Sequence, residues 1–347
     1  MSAWEKTLDR YGLMIEKRVA DFFEKETKDR KEYHDFIGGM YVDLHEYTSR
    51  RGKRLASCST LLAYKGFNKE VDDRILSVCA GMELYRHSIL VHDDLVDDDE
   101  VRRGGSAIHK KYSQEHDSKF GDSSAVFAGN ILYTLALKAF SGSGFEPDKI
   151  VQVLNLLNDA FQAVNESQVL DLLFEYKKPD VNEWYVMASE RAASLFKASL
   201  LMGAVLADAS DRDLQLLREA GEHIGYCFDI QDDVIDTFAS EEQYGRKPGG
   251  DISKHKKPLH IVYTYMMADP AQLEMIESAA HVGPLEDLDR IRKVISDCGA
   301  LEAAKKRSRE HADSAKKLIS ETNMSPEVKD FFTSFIDYVK ESLNWYK

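Results

Sequence analysis

Apolar residues recur at spacings of three and four along most of this chain, which is the pattern of amphipathic helices rather than strands. All seven prolines lie from Pro147 onward, between the apolar-periodic segments. We therefore predict an all-α protein. The predicted helices lie at residues 2–26, 31–48, 53–65, 71–98, 122–141, 147–175, 180–207, 211–238, 258–268, 284–297, 300–321 and 326–345.

The 347-residue chain contains no low-complexity linker and no short-period repeat, so we predict one large helical domain over residues 1–347. Its central helices are apolar around much of their circumference, as at residues 188–207, which places them inside a bundle. Gly221 and Gly225 either allow close backbone packing, which we favour, or leave room for a ligand.

Composition narrows the function classes. The formal net charge of −14 argues against a nucleic-acid scaffold or binding to an anionic membrane surface. The four cysteines are scattered without zinc-ligand spacing, which indicates free thiols in a reducing compartment. The charged N-terminus has no signal-peptide core, and no run reaches the ~18 apolar residues of a membrane span. We expect a cytoplasmic protein.

Two clusters of aspartates carry the candidate chemistry. Six of the eight residues from Asp93 to Glu100 are acidic, and the Asp-Asp-x-x-Asp spacing returns later in the chain. Both clusters lie at the predicted C-terminal ends of apolar helices, where the helix dipole disfavours negative charge. The repeated motif consists of Asp93, Asp94 and Asp97, and of Asp232, Asp233 and Asp236.

A cation must neutralise these carboxylates unless they are a solvated helix end, the ordinary meaning of an isolated charge run. Each cluster, however, runs into a glycine-containing basic loop, at residues 99–112 and 239–257. Mg²⁺ with oxygen ligands fits such carboxylates and would stabilise a diphosphate leaving group. Because there are two clusters, we favour the metal site and assign Asp98, Asp99 and Glu100 to solvent or to lysines.

The segments HDDLVDDDEVRRG, FDIQDDVID and GRKPGGD, together with Gly-Lys-Arg at 52–54, resemble the trans-polyprenyl diphosphate synthases. The resemblance implies an isoprenoid-synthase helical bundle with a central apolar cavity. It also implies condensation of isopentenyl diphosphate with an allylic diphosphate, three Mg²⁺ ions bound by both aspartate motifs, and a homodimer. The implied contacts to isopentenyl diphosphate are Lys53, Arg54 and Arg103, and those to the allylic diphosphate are Arg102 and Lys256.

This chain departs from the family pattern in the isopentenyl diphosphate pocket. Ala56 replaces a second arginine, and Arg86 replaces a histidine seven residues before Asp93. We hypothesise that Arg86 supplies the cation missing at Ala56. The alternative is that Arg86 turns outward to a surface acid.

On the allylic side the usual Lys-Thr pair reads Arg191-Ala192, a glutamine becomes Asp229, and a lysine becomes Arg246. Charge is mostly kept, so we expect Arg191, Asp229 and Arg246 to take part in substrate binding and catalysis to survive.

The implied mechanism needs no protein nucleophile. Diphosphate departs, the isopentenyl double bond attacks the allylic cation, and a dry apolar tunnel excludes water. The tunnel should follow the helix before Asp93, with Tyr85 about 12 Å behind that residue. Small Ser88 lets the product pass and Tyr85 stops it, so we predict C20 geranylgeranyl diphosphate, with C25 or C15 as alternatives. The predicted chain-length residues are Met82, Tyr85, Ser88 and Ile89.

Two other functions compete with this one. A class I terpene cyclase also ionises a prenyl diphosphate, but would lack the Lys53 motif and the second Asp-Asp-x-x-Asp. A non-catalytic regulatory subunit is a second alternative, because the isopentenyl diphosphate pocket is altered. Incubation with Mg²⁺ and both substrates would separate the three possibilities.

Overall fold

The structure is a computed structural model that describes residues 2–50, 52–244, 247–279 and 288–343. The regular secondary structure of these residues is helical apart from one short hairpin, which confirms the all-α prediction. The helices are α1 Ala3–Tyr33, α2 Asp35–Ser49, α3 Leu55–Gly66, α4 Asp73–Val96, α5 Ile108–Ser113, α6 Ser118–Ser141, α7 Pro147–Glu175, α8 Val181–Ala188, α9 Ala192–Leu206, α10 Asp211–Phe238, α11 Glu241–Tyr244, α12 Gly250–Ser253, α13 Leu259–Met267, α14 Pro270–Ala279, α15 Leu288–Asp297, α16 Ala300–Glu321 and α17 Pro326–Glu341.

The described residues form two compact units. The first lies within Met1–Asn155 plus Met202–Ala209, and the second within Leu156–Leu201 plus Ser210–Lys347. The first aspartate motif belongs to the first unit and the second motif to the second unit. The single domain over residues 1–347 stays a prediction.

Two helix breaks differ from the predicted ones. The first helix runs on to Tyr33, because the break is made by His34, which has extended backbone and whose Nδ1 accepts a hydrogen bond from Phe36 N at 3.1 Å. The single helix predicted at 180–207 is wrong, since the helix is interrupted between Ala188 and Ala192. The helices α5, α11, α12 and α14 are not among those predicted from the sequence. Of the helix predicted at 284–297, residues 284–287 lie outside the described residues.

In the first unit, α4 and α6 are in direct contact. A Cβ atom at Gly129 would lie 2.2 Å from His92 Nε2, so the glycine leaves room for the His92 ring between the helices. One end of the contact is filled by the Phe140 ring, which lies 3.2 Å from a Cβ position at Gly81. This packing fixes the helix that ends in the first aspartate motif.

In the second unit, glycines on α10 let it press against α9. A Cβ atom at Gly225 would lie 2.2 Å from Ala193 Cα, and one at Gly221 would lie 2.8 Å from Lys197 Cα. These distances confirm the packing interpretation of both glycines. The contact brings the first residues of α9 against the helix that carries the second motif.

After α4 the chain forms the hairpin of β1 Val101–Arg102 and β2 Gly105–Ser106. Its two turn residues have positive φ angles, 51° at Arg103 and 82° at Gly104, as in type I′ turns. The sequence analysis treated this stretch as loop. The turn presents the two successive arginines on a defined backbone.

The four cysteines are free, as predicted: Cys58, Cys79 and Cys227 are buried and Cys298 is half-buried. Among the described helices, none has the length and apolar character needed to cross a bilayer.

Candidate active site

Arg102 gathers the aspartates of the first motif. Its Nε donates to Asp94 Oδ1 at 2.5 Å and its Nη2 donates to Asp93 Oδ2 at 3.0 Å. Burial would lower the pKa of Arg102, but Asp94 and Asp93 outweigh it and raise that pKa well above its usual value. The third aspartate, Asp97, is half-buried and caps the C-terminus of α4. Residues predicted from spacing alone thus lie side by side.

Asp94 has a second partner that the sequence analysis missed. The Tyr47 hydroxyl, from α2, donates to Asp94 Oδ2 at 2.6 Å, and both residues are almost completely buried. Burial raises the pKa of the Asp94 carboxyl despite the opposing Arg102 charge. Both oxygens of this buried carboxyl group are therefore already hydrogen-bonded, one to Tyr47 and the other to Arg102.

The three acids after the motif partly follow the prediction. Asp98 is exposed and accepts a hydrogen bond from Lys110 at 2.6 Å, and Glu100 is exposed, as predicted. Asp99 is half-buried and lies 3.4 Å from Arg102 Nη2. The expected lysine partner or solvent exposure of Asp99 is therefore corrected to an arginine contact.

A missed arginine fixes the hairpin. The Arg50 Nη1 donates to the carbonyl oxygens of Arg102 and Ser106 at 3.1 and 3.0 Å. A Cβ atom at Gly105 would lie 2.4 Å from Arg50 Cζ, so the guanidinium reaches the hairpin only because this position is glycine. Arg50 could not be found from sequence, because it acts through the fold.

The predicted isopentenyl diphosphate residues divide into two groups. Arg103 lies against the backbone, since a Cβ atom at Gly52 would lie 2.6 Å from its Cζ. Burial, together with the positive charge of Arg86, lowers the pKa of Arg103 to about 10. Arg86 is half-buried. The structure thus brings Arg86 within electrostatic range of Arg103, where like charges favour an anionic ligand.

Arg54, predicted to contact isopentenyl diphosphate, lies in a buried group of ion pairs. It is 4% exposed, and its Nη1 donates to Glu83 Oε2 at 2.8 Å while its Nε donates to Glu16 Oε1 at 3.2 Å. Although burial opposes ionisation, Arg54 lowers the pKa of Glu83 to about 2. Arg54 has a positive φ of 51° and forms buried ion pairs, and its contact with isopentenyl diphosphate stays a prediction. Lys53, next to it, is half-buried.

Arg191 plays the corresponding part at the second motif. Its Nε donates to Asp229 Oδ1 at 3.1 Å, and its Nη2 lies 3.5 Å from Asp233 Oδ2. Burial would lower the pKa of Arg191, but the surrounding aspartates raise it well above its usual value. The replacements at 191 and 229, which the sequence presented separately, are therefore partners in one buried ion pair.

Asp171 on α7 completes this cluster and was missed. It is 5% exposed, with its Oδ1 3.7 Å from Arg191 Nη1 and its Oδ2 3.1 Å from Lys256 Nζ. The structure thus brings predicted Lys256 to the same acidic group as Arg191. The one sequence signal for Asp171 was a single acidic residue at a position of α7 that proves to be buried.

The last aspartate of the motif organises the following turn. Asp236 Oδ2 accepts from Asp251 N at 3.1 Å, and the Asp236 carbonyl accepts from Gly249 N at 2.7 Å. Asp232 is half-buried beside it. Arg246 lies outside the described residues.

Asp233 of the second motif and its neighbour Asp229 have the chemistry of ligands for a divalent cation. Burial raises the pKa of Asp229 to about 6, and raises that of Asp233 well above its usual value. Among the described residues, Asp229 Oδ2 and Asp233 Oδ2 are buried oxygens without a hydrogen-bond donor. Such oxygens are the ligands that Mg²⁺ prefers.

The described part of the chain nevertheless contains no group of three or more His, Cys, Asp or Glu side chains arranged to hold a metal ion. Asp93 and Asp94 contact Arg102, and Asp229 and Asp233 contact Arg191.

The predicted chain-length residues lie along α4. Met82, Tyr85 and Ser88 are completely buried and Ile89 is half-buried. The Ser88 hydroxyl donates to the Tyr85 carbonyl at 2.8 Å, so its polarity is satisfied within the helix. The Tyr85 ring lies 6.3 Å from the Tyr133 ring of α6, a partner the sequence analysis missed.

Comparison with known proteins identifies the family of this chain. The sequence model of the polyprenyl synthetase family matches residues 40–298. The chain is 30% identical over 260 residues to a short chain isoprenyl diphosphate synthase of Methanocaldococcus jannaschii, covering 75% of this chain and 76% of that protein. It is 28% identical to a geranylfarnesyl diphosphate synthase of Aeropyrum pernix, covering 84% of this chain and 90% of that protein.

A solved structure shares the fold. Geranylgeranyl pyrophosphate synthase from Corynebacterium glutamicum, complexed with isoprenyl diphosphate and magnesium, superposes with a TM-score of 0.91 at 20% identity. The match covers 96% of this chain and 99% of that one. The family match rejects the terpene cyclase alternative. The chain belongs to the polyprenyl synthetase family and is a prenyltransferase that elongates trans-prenyl diphosphates.

Proposed function

We propose that this enzyme condenses isopentenyl diphosphate with allylic diphosphates of C5 to C15 and releases mainly C20 geranylgeranyl diphosphate. The observation that carries the chain length is the order of side chains on α4, with buried Ser88 ahead of buried Tyr85. A growing chain can pass the small side chain but not the aromatic ring. C25 is the nearest alternative product.

The metal ligands in this proposal are the two predicted aspartate sets, Asp93, Asp94 and Asp97 with Asp232, Asp233 and Asp236. Bound Mg²⁺, expected as three ions, would neutralise these carboxylates and stabilise the leaving diphosphate. Arg102, Arg191 and Lys256 keep the carboxylates clustered and bring positive charge to the allylic diphosphate. Arg103, Lys53 and Arg86 orient isopentenyl diphosphate for attack on the allylic cation.

The test is direct. Purified protein is incubated with Mg²⁺, isopentenyl diphosphate and each allylic diphosphate in turn, and the dephosphorylated products are sized by chromatography. We expect C20 as the main product from every primer. A main product of C15 or of C25 and longer would contradict the chain length, and no elongation would support the regulatory-subunit alternative.

The same enzyme is expected to be a homodimer, because α7 ends in an exposed apolar stripe. The stripe on α7 consists of Val169, Leu172 and Leu173, which lie at helical spacing and are 66%, 37% and 47% exposed. Tyr176, 87% exposed, follows directly after the helix ends at Glu175. A contiguous apolar stripe on a helix surface is a feature of protein interfaces.

Light scattering during gel filtration tests the homodimer. Wild type should elute at twice the chain mass, and Leu173→Glu should shift it towards the monomer while Lys177→Glu, beyond the stripe, should not. A monomeric wild type, or a Leu173→Glu variant that stays dimeric, would contradict this interface.

A further inference from the structure

His87 follows Arg86 on α4 and is 1% exposed. Its Nδ1 lies 2.7 Å from the Glu83 carbonyl oxygen, which can only accept a hydrogen bond. The ring proton must therefore sit on Nδ1, and Nε2 is left as an acceptor. Arg103 Nη1 lies 3.3 Å from this Nε2 and is the donor.

The imidazole is neutral, which is what the contact requires. Burial lowers the pKa of His87 to about 3, so the ring carries no charge at neutral pH. A protonated ring would instead repel the guanidinium. The helix backbone sets the tautomer through Glu83, whose carboxylate is already occupied by Arg54 and by the Ser57 hydroxyl at 2.5 Å.

Arg103 is difficult to hold in place. It stands in the turn of the hairpin with positive φ, and the neighbouring cations Arg86, Arg54 and Arg102 disfavour its charge. An arginine under such repulsion gains by turning towards solvent. A carboxylate could anchor it, but would cancel the charge needed for a diphosphate, as Glu83 does for Arg54.

We propose that His87 is a positioning residue that aims Arg103 at isopentenyl diphosphate while leaving its positive charge undiminished. The inference rests on the proposed function, and on Arg103 contacting isopentenyl diphosphate. The histidine that the family carries one position earlier is Arg86 here. The pocket of this chain thus has an added cation, Arg86, and a neutral hydrogen-bond acceptor, His87, for Arg103.

Three substitutions separate this role from simple packing. In His87→Gln the side-chain amide can place an acceptor near the position of Nε2, in His87→Asn it is too short, and in His87→Leu no acceptor remains. We expect the KM for isopentenyl diphosphate to rise roughly tenfold in the asparagine and leucine variants, about the effect of one hydrogen bond to a charged group. It should rise less than threefold in the glutamine variant. The kcat and the KM for the allylic substrate should stay within twofold.

The Arg103→Ala background supplies the control. There His87→Leu should raise the KM for isopentenyl diphosphate no further, because the group it positions is gone. Isothermal titration with isopentenyl diphosphate should give the same pattern of Kd values, and thermal unfolding identifies any variant that is merely unstable. Should the leucine variant not fold, the glutamine and asparagine pair decides.

Equal KM values in wild type and the asparagine and leucine variants would overturn the inference. Additive increases of this KM in the double variant with Arg103→Ala would also overturn it. So would a fall in kcat without a change in the KM for isopentenyl diphosphate. Wild-type elongation is measured in the same experiment. If wild type elongates and the variants match it, His87 has no positioning role and the proposed function stands; if wild type does not elongate, the proposed function itself fails.

Discussion

At the scale of single residues, the buried pair of Arg191 and Asp229 is the clearest departure of this chain from its family. The 3.1 Å hydrogen bond between them explains why a larger cation and an added anion occur together. Asp229 also accepts a hydrogen bond from the Ala192 backbone, at the first residue of α9. The extra acid therefore neutralises the arginine and also caps a helix.

We predict that Asp229→Gln alone lowers the free energy of unfolding by about 2 kcal/mol, because a buried guanidinium loses its hydrogen-bonded partner. Arg191→Lys combined with Asp229→Gln, the residue types usual in the family, should recover at least half of that loss. Urea unfolding of wild type, both single variants and the double variant gives the coupling energy. Strictly additive losses would show that the two replacements are independent.

Residue type and spacing identified both aspartate motifs, because metal ligands repeat along a helix face. They could not distinguish Lys53 from Arg54, which are adjacent cations. Arg54 has a positive φ and its side chain is hydrogen-bonded to Glu83 inside the protein. No local sequence pattern predicts that conformation. Tyr47 and Asp171 were missed for a related reason, since each acts through a contact with a distant helix.

At the scale of elements, periodicity located the long helices and failed where tertiary contacts end them. The residues between Ala188 and Ala192 are good helix formers, so the sequence predicts a continuous helix. The chain breaks there because Ala192 N–H is taken up by Asp229 and because Gly225 lets α10 press against the start of α9. Both causes lie in another helix and are invisible to local propensity.

The contact between α4 and α6 makes a prediction about product length. Tyr85 and Tyr133 face each other across it with ring centroids 6.3 Å apart, and Phe140 lies against Gly81 one turn further from Asp93. Tyr85→Ala should shift the main product from C20 to C25 or longer, because it removes the aromatic obstruction nearest to Ser88. Product sizing with farnesyl diphosphate as primer measures the shift.

Two variants test whether the α6 side contributes. Tyr133→Ala should lengthen the product as well, whereas Phe140→Ala should have no effect unless Tyr85 is also removed. An unchanged C20 product from Tyr85→Ala would remove this residue as the floor. Lengthening by Phe140→Ala alone would place the obstruction deeper along α4.

At the scale of the whole molecule, charge is distributed unevenly. The chain carries a net charge of −14, yet the predicted substrate contacts are cations held beside buried carboxylates. Carboxylates outnumber the arginine at each of these clusters, so we expect anionic substrates to bind there only once Mg²⁺ neutralises the carboxylates.

Buried histidines make the free energy of unfolding of the whole molecule depend on pH in the mildly acidic range. His311 of α16 lies with its Nδ1 2.8 Å from His223 Nδ1, and its Nε2 is 3.0 Å from the Tyr185 hydroxyl. Burial, helped by His223 and Arg307 and opposed by Glu310, lowers the pKa of His311 to about 4. Only one proton can lie between the two Nδ1 atoms, so the pair is stable when neutral.

The sign of the effect follows from proton binding. Between pH 6.5 and about 4 the unfolded chain binds a proton at His311 that the folded chain does not, so acidification favours unfolding in that window. Since one pKa unit corresponds to about 1.4 kcal/mol, the contribution lost between pH 7 and pH 5 is up to about 2 kcal/mol. Burial lowers the pKa of His87 and of His260 to about 3, which adds in the same direction.

Burial raises the pKa of Asp229 to about 6, which opposes this trend, so wild type alone cannot isolate the histidine contribution. His311→Phe isolates it, because it keeps the ring packing and removes the titrating group. The variant should be about 1–2 kcal/mol less stable at pH 7, where it loses two hydrogen bonds. That gap should close by pH 5, because only wild type loses the His311 contribution. His116→Phe, at an exposed position, is the matched control. In urea unfolding it should change the free energy of unfolding by the same amount at both pH values. A constant difference for His311→Phe would instead mean that His311 protonates equally in the folded and unfolded chain.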